Sequence, residues 1–201
     1  DAANNRVGIG TTAPTNVLDV RSATSGALKI ADGTQGDKKI LTSDANGVAT
    51  WQRAASNVAV GTLGIGYDIP FSQFSDYRYT GSTITLPPGK WIVFGTYLIS
   101  GTPTLTSGQS IFVRTALSAS DTVNANPDVV SGALVSGTLI GPTVFGIANG
   151  QTIINNSGAA VKRYYLWGNL VKYGTTPTTF NLSGLGSNFW AENQLSAIPT
   201  N

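Results

Sequence analysis

The sequence predicts an all-β protein, in which an antiparallel β-sandwich or jelly roll follows an extended, turn-rich N-terminal assembly segment. Charged residues make up only 11% of the chain, against about 25% in typical domains, and Thr, Ser, Asn and Gly replace them. Short runs of alternating apolar and polar residues, typical of half-buried strands, are separated by turns rich in Gly and Pro. Helical periodicity is hard to find anywhere in the chain.

The N-terminal part, residues 1–55, contains few large side chains. Segments of this kind bury little apolar surface alone and need a partner for stability. We therefore predict an extended assembly segment with short strands. Its β-type runs lie at residues 7–9, 17–20, 27–30, 40–41 and 48–51. The residues predicted at its interface are Val7, Ile9, Val17, Leu18, Val20 and Trp51.

Residues 6–52 also carry a resemblance. The strings VGIGTTAPTNVLDV and LKIADGTQGDKKILTSDANGVATWQ resemble a recurrent module in fibre and surface proteins of Bacteroidetes-type bacteria and their phages. In those proteins the module lies in stalks, often ahead of a C-terminal head, so the resemblance implies an extracellular fibre component. The module occurs once here, without the tandem copies of a long stalk, which favours a linker or docking arm.

The remainder, residues 56–201, carries the stronger strand signals and is predicted to form the sandwich. Residues 90–100 (KWIVFGTYLIS) are the strongest predicted strand, and both faces of that strand are apolar. We expect the core to cover one face and a subunit interface or a loop to cover the other. Further strands are predicted at residues 82–86, 110–117, 129–140, 143–145, 152–155, 161–173, 178–182 and 189–198.

Two strings in this part resemble a known domain type. ITLPPGKWIVFGTYL is similar to the C1q/TNF-like jelly roll, in which a Pro-Gly turn leads into a central aromatic strand. NFWAENQLSAIPT is similar to the closing strand of such domains. The resemblance implies a jelly roll, and a generic β-sandwich is the alternative.

Composition excludes several kinds of chemistry. The chain has no Cys, Met or His, so it lacks disulfides, cysteine nucleophiles and the usual ligands of zinc. Its formal net charge is +2 and its bases are scattered, unlike the clustered bases of nucleic-acid-binding proteins. No apolar run approaches the about 20 residues of a membrane helix. We predict no nucleic acid, metal or cofactor, and no membrane-spanning segment.

Two features of the sequence match parts of enzyme sites in form, but neither leads us to predict an enzyme. Residues 8–13 (GIGTTA) match the dinucleotide fingerprint G-x-G-x-x-A, but Pro14 prevents the helix that this site requires. We assign these glycines to close backbone packing. A carbohydrate-active enzyme would need paired carboxylates, for which Asp68, Asp76 and Glu192 are the candidates. Serine-triad chemistry lacks its histidine, and a non-enzymatic role is predicted.

Aromatic side chains of the body are candidates for a sugar-stacking face or a subunit interface, because each buries a large area. The tripeptide Asp121-Thr122-Val123 resembles the Bacteroidetes O-glycosylation sequence Asp-Ser/Thr-apolar, so Thr122 is a candidate O-glycan site. The aromatic residues predicted to contact a ligand or a subunit are Tyr77, Tyr79, Tyr165, Trp167 and Trp190.

The leading hypothesis is a non-enzymatic structural subunit of an extracellular bacterial fibre or filament that self-assembles through its N-terminal arm. Low charge permits copies of the chain to associate. The alternative is a trimeric receptor-binding (adhesin) tip of a phage tail fibre or surface fibre, which binds a surface glycan or host receptor. The chain starts at Asp1 and lacks Met. We therefore expect a cell-surface or extracellular protein with a removed signal peptide, a virion fibre, or a fragment.

Overall fold

Strands form nearly all of the regular structure, which confirms the all-β prediction. The structure is a computed structural model, and it describes residues 1–53, 58–175 and 177–200. Internal contacts divide the chain into two units, Asp1–Ser56 and Asn57–Asn201. The predicted boundary, between residues 55 and 56, lies outside the described residues.

In residues 1–53, the first unit contains two small sheets. β1 (Val7–Ile9) pairs in parallel with β2 (Leu18–Val20), after a short 3-10 turn at Ala2–Asn4. β3 (Lys39–Ser43) and β4 (Ala49–Arg53) form an antiparallel hairpin. None of these strands is longer than five residues, so the unit has little surface with which to form a core of its own.

The turn between β3 and β4 has the conformation that its sequence predicts. Asp44 Oδ1 accepts the Val48 N–H at 2.8 Å, and Gly47 adopts a φ of 82°, which glycine tolerates without strain. The strand predicted at residues 27–30 is wrong, because no described strand pairs with this run. Instead, the Trp51 indole N–H donates to the Ile30 carbonyl at 3.0 Å. This is a hydrogen bond from a side chain, so it does not pair the run with a neighbouring strand.

Among its described residues, the second unit contains twelve strands and a 3-10 turn at Phe71–Gln73. In chain order the strands are β5 (Ala59–Val60), β6 (Tyr67–Pro70), β7 (Arg78–Leu86), β8 (Gly89–Ile99), β9 (Gly101–Thr102), β10 (Gln109–Ser118), β11 (Val129–Ser131), β12 (Val135–Ile140), β13 (Gly146–Asn156), β14 (Lys162–Gly174), β15 (Asn181–Leu185) and β16 (Gln194–Thr200).

One antiparallel sheet of nine strands dominates this unit and nearly closes on itself. Its order is β5-β16-β8-β13-β12-β10-β14-β7, with β11 attached to β13. Thr62 and Thr83 exchange two backbone hydrogen bonds of 2.8 and 2.9 Å. Because Thr62 follows β5 and Thr83 lies in β7, this bridge brings the two ends of the sheet together. A smaller sheet has the order β6-β15-β9.

The core lies inside this rolled sheet. Tyr97, Tyr164 and Phe180 are its largest fully buried side chains. The inner face of β8 contributes Trp91, Val93, Tyr97 and Ile99, all buried, as expected for one face of the strongest predicted strand.

Several predicted strands have different bounds in the structure. The prediction at residues 129–140 divides into β11 and β12, because residues 132–134 lie outside the ladders. Residues 143–145 form no strand, whereas the one predicted at 152–155 is the end of β13. The last predicted strand, at 189–198, begins only at β16.

A polar network joins β14 to the loop before β11. The Tyr164 hydroxyl donates to Asp128 Oδ2 at 2.7 Å, and Lys162 Nζ donates to the same oxygen. Burial acts to raise the pKa of Asp128, but the hydrogen bonds from Lys162 and Tyr164 outweigh it and lower that pKa below its ordinary value. Burial and the Asp128 carboxylate both raise the pKa of the Tyr164 phenol. The network therefore holds an ionised carboxylate between two donors.

Replacing Tyr164 by phenylalanine is expected to lower the free energy of unfolding by about 1.5–3 kcal/mol, because the lost hydrogen bond has a charged acceptor. Denaturant unfolding measures the loss. Tyr67→Phe is the control, since the Tyr67 hydroxyl donates to the neutral Gln73 Oε1 at 3.0 Å. That loss is expected to be about 0.5–1.5 kcal/mol, and equal losses in the two variants would contradict the contribution of the Asp128 charge.

Candidate functional site

The β1–β2 sheet has an open apolar face. The register places Val7 opposite Leu18 and Ile9 opposite Val20. Paired residues of a ladder point to the same side, so these four side chains share one face, which we call the β1–β2 face. Val7 is 58% exposed and Leu18 is 59% exposed. Ile9 is similarly exposed, whereas Val20 is half-buried.

The opposite face of this sheet is covered by a charged cluster around Asp19. Asp19 is buried, and its carboxylate accepts two hydrogen bonds from the Arg21 guanidinium at 3.1 and 3.0 Å. The Thr15 N–H and hydroxyl donate to Asp19 Oδ2 at 2.8 and 3.1 Å. Arg6 Nη1 adds a bond of 2.9 Å to the Pro14 carbonyl. The cluster fixes the loop between β1 and β2, and so fixes which face stays open.

Asp19 makes this segment sensitive to acid. Its hydrogen bonds from Arg21 and then from the Thr15 N–H hold the pKa of this carboxyl well below its ordinary value. Because the folded pKa is depressed, its contribution to stability is complete above the unfolded pKa of about 4 and is lost as the pH falls through the folded pKa. An NMR titration is expected to find the Asp19 carboxyl still ionised at about pH 4, where an aspartate with the ordinary pKa is half-protonated. Half-protonation of Asp19 at about pH 4 would contradict this prediction.

The glycines of the GIG string serve close backbone packing. A Cβ on Gly8 would lie 2.5 Å from the Thr11 carbonyl oxygen. Gly10 adopts a φ of 73°, and a Cβ there would lie 2.1 Å from the Arg21 carbonyl oxygen. Both positions therefore require glycine for the chain to fold back from β1 to β2.

The other predicted interface residues lie apart from the β1–β2 face. Val17 precedes β2 and is the most exposed of the predicted set. Trp51 belongs to β4 and is half-buried, with its indole nitrogen bonded within the unit. Of the six predicted interface residues, four therefore lie on the β1–β2 face. Val17 flanks that face, and Trp51 lies in the β3–β4 sheet.

The outer face of β8 is a second apolar surface, in the second unit. Ile92 lies between Ile153 of β13 and Ile198 of β16, and Phe94 follows on the same face. Phe94 is 37% exposed and Ile198 40% exposed. Leu98, on the same face, is buried, but apolar area around Ile92 and Phe94 stays exposed in a single copy of the chain.

Three of the predicted aromatic residues meet on the outer face of β7 and β14. The ring centroids of Tyr79 and Tyr165 are 5.5 Å apart, and those of Tyr79 and Trp167 are 6.1 Å apart. Trp167 is buried, and its indole N–H donates to the Ser120 carbonyl at 2.9 Å. Tyr77 lies near Arg114; burial raises the pKa of Tyr77, and the Arg114 charge offsets part of that rise.

Trp190 lies in a different cluster, with two residues that the sequence analysis missed. Its ring centroid is 4.8 Å from that of Phe189 and 5.6 Å from that of Phe145, both with T-shaped geometry. Phe189 is 78% exposed and Phe145 is also exposed. We call these three residues the aromatic edge cluster. Phe145 and Phe189 fall in stretches with strand-like patterns, and no signal in the sequence marked either as exposed.

The candidate glycan site lies in the loop between β10 and β11. Asp121, Thr122 and Val123 are all exposed, and the Thr122 hydroxyl is 3.0 Å from that of Ser120. O-glycosylation of Thr122 stays a prediction.

No family model matches the sequence, and no curated protein matches it either. Within the described residues, no helix has the length and apolar character needed to cross a membrane. The same residues contain no group of three or more Asp or Glu side chains positioned to hold a metal ion.

Proposed function

We propose that the chain is a non-enzymatic structural subunit of an extracellular bacterial fibre, and that it assembles through the β1–β2 face. The observation that carries this proposal is the open apolar face on a two-stranded parallel sheet. Parallel sheets are almost always covered on both faces, and two isolated strands are marginally stable. In the described part of the chain only the Asp19 side is covered, so a second copy is the expected cover for the other side.

The free energy gained by burying the β1–β2 face alone is not enough to hold two copies of the chain together. Full burial of a Val, Leu or Ile side chain stabilises by about 1.5–3 kcal/mol, so covering half-exposed side chains gives about 1 kcal/mol each. Val7, Ile9 and Leu18 from each of two copies would then give about 6 kcal/mol, against an association cost of about 4–15 kcal/mol. A further contact is needed, and the outer face of β8 offers apolar area for it.

Charge also supports association between copies. The chain carries 12 basic and 10 acidic residues and a net charge of +2. Electrostatic repulsion between copies is therefore small, and it falls further at physiological ionic strength. Backbone groups along the edges of β1 and β2 can also pair with a strand of another copy.

The test is a double variant, Ile9→Asp with Leu18→Asp. Both side chains are exposed in the single chain, so the change leaves the fold intact but places charge in the proposed interface. Sedimentation velocity and negative-stain electron microscopy are expected to show loss of assemblies. Val161→Asp, at a residue with 60% exposure after β13, is the matched control and should assemble normally. Assemblies that persist in the double variant would contradict the proposal.

The second candidate function is a trimeric receptor-binding tip, and the aromatic edge cluster is the observation that favours it. Exposed aromatic rings supply large contact area to glycans and proteins at low entropic cost. A solution mass of three chains that does not change with concentration is expected for a tip, whereas an open filament grows with concentration. Phe189→Ala should abolish receptor binding by a tip and leave the assembly of a fibre unchanged.

A further inference from the structure

The outer face of β12, β10 and β14 contains a cleft of about 640 Å³. This volume falls within the about 300–1,000 Å³ of typical small-molecule sites. Phe112 forms its floor, because the register places Phe112 between Thr138 and Val171 on neighbouring strands. Ile140 and Val171 add apolar wall, and the Thr138 hydroxyl and Gln109 amide add polar groups.

Arg114 is the one charged residue that lines this cleft among the described residues. Its guanidinium carbon lies 5.2 Å from the centroid of the Phe112 ring, a cation–π contact that holds the side chain beside the floor. The ion pairs of the described part of the chain are Arg21–Asp19, Arg78–Asp76 and Lys162–Asp128. Arg114 therefore presents its guanidinium to the cleft without a carboxylate partner.

A second observation concerns the residue paired with Arg114. Asn169 lies opposite Arg114 in the β10–β14 ladder, is only 5% exposed, and its Oδ1 accepts no hydrogen bond from the described residues. Buried polar atoms are normally hydrogen-bonded. Asn169 does not line the cleft, and its carbonyl oxygen would repel a carboxylate, so the charged donors that the cleft offers to an anion are those of Arg114.

We propose that this cleft binds an organic carboxylate. The carboxylate accepts two parallel hydrogen bonds from the Arg114 guanidinium, the geometry that arginine and carboxylate share. The apolar part of the ligand lies against Phe112, Ile140 and Val171. Acidic sugars and aliphatic carboxylates both have this chemistry, and a ligand with hydroxyl groups would also use Thr138. The site is independent of assembly through the β1–β2 face.

The test titrates the whole chain with two matched pairs of probes and follows binding by calorimetry and NMR. Methyl β-glucuronide and methyl β-glucoside differ by a carboxylate, as do hexanoate and hexanol. At least one carboxylate is expected to bind about tenfold or more tightly than its neutral partner. Binding of glucuronide alone assigns the site to acidic sugars, and binding of hexanoate alone assigns it to aliphatic acids.

Arg114→Gln is expected to weaken binding of the carboxylate by about tenfold or more, because a charge-assisted hydrogen bond is lost. Arg163→Gln removes the same charge from an exposed position of β14 and should bind as the unaltered protein does. If Arg114→Gln does not fold, Ile140→Asp provides the test, since Ile140 is 57% exposed and a new carboxylate there repels the ligand.

Three results would overturn the proposal. The first is that neither carboxylate binds at millimolar concentration, and the second is that each binds no better than its neutral partner. The third is that Arg114→Gln or Ile140→Asp changes the mass of the particles in solution, which would make the cleft an interface between copies of the chain.

Discussion

Replacing Gly64 by alanine is expected to lower the melting temperature of the second unit by about 10 °C, for a loss of about 3 kcal/mol. A Cβ on Gly64 would lie 2.5 Å from the carbonyl carbon and oxygen of Gly81 in β7. The neighbour is backbone, so it cannot rotate away as the end of a side chain would. The Gly64 N–H also donates to Ser82 Oγ at 2.8 Å, and its carbonyl accepts the Asn188 N–H at 2.7 Å.

The effect is large because Gly64 lies where the nine-stranded sheet closes, two residues beyond the Thr62–Thr83 bridge. Separating that segment from β7 would expose the adjoining core. Gly158→Ala is the control, because Gly158 has an ordinary φ and a Cβ there meets only the end of Asn156 at 3.4 Å. Differential scanning calorimetry of both variants gives the comparison, and equal melting temperatures would show that the sheet does not depend on this close approach.

Replacing Gly10 by alanine is expected to abolish the pairing of β1 with β2 and, with it, self-assembly. A left-handed φ costs an L-residue about 1–2 kcal/mol. The new Cβ would also lie 2.1 Å from the Arg21 carbonyl oxygen, in the residue whose N–H donates to Ile9 at 2.9 Å. Because the β1–β2 ladder is only three residue pairs long, it has no reserve of stability with which to absorb that clash.

The variant Gly26→Ala separates the cost of a left-handed backbone from the cost of a clash like that with the Arg21 carbonyl. Gly26 has a φ of 87°, but a Cβ there would meet nothing within 4 Å. This control carries the cost of the left-handed backbone without the clash, so it should assemble. Hydrogen exchange of residues 6–21 and sedimentation velocity provide the measurements, and calorimetry should show an unchanged melting transition for the second unit. Assemblies of normal size in Gly10→Ala would contradict the role of the β1–β2 face.

Local patterns predicted the fold class because it depends on alternation and turns, which are properties of neighbouring residues. They failed where a distant strand decides the outcome. Residues 146–151 separate two predicted strands, yet they lie inside β13, where Asn149 and Gly150 pair with Thr96 and Gly95 of β8. Conversely, the apolar run at residues 27–30 has strand character but no partner strand.

Side-chain exposure in the candidate sites was predictable only in part. Val7, Ile9 and Leu18 were identifiable because no core could form around so short a segment. Asp19 was not, since its burial depends on Arg21 and on a loop that folds back over it. The cleft beside Arg114 depends on the register of β10 with β12 and β14, which residue composition does not encode locally.

The most direct test of assembly is the mass of the unaltered protein in solution as its concentration is raised. Sedimentation equilibrium gives that mass, and electron microscopy of the same samples shows the shape of the particles. Pairing through the β1–β2 face, together with a second contact such as the outer face of β8, predicts filaments that lengthen with concentration. A 20.8 kDa species at every concentration, with no filaments on the grid, would contradict it.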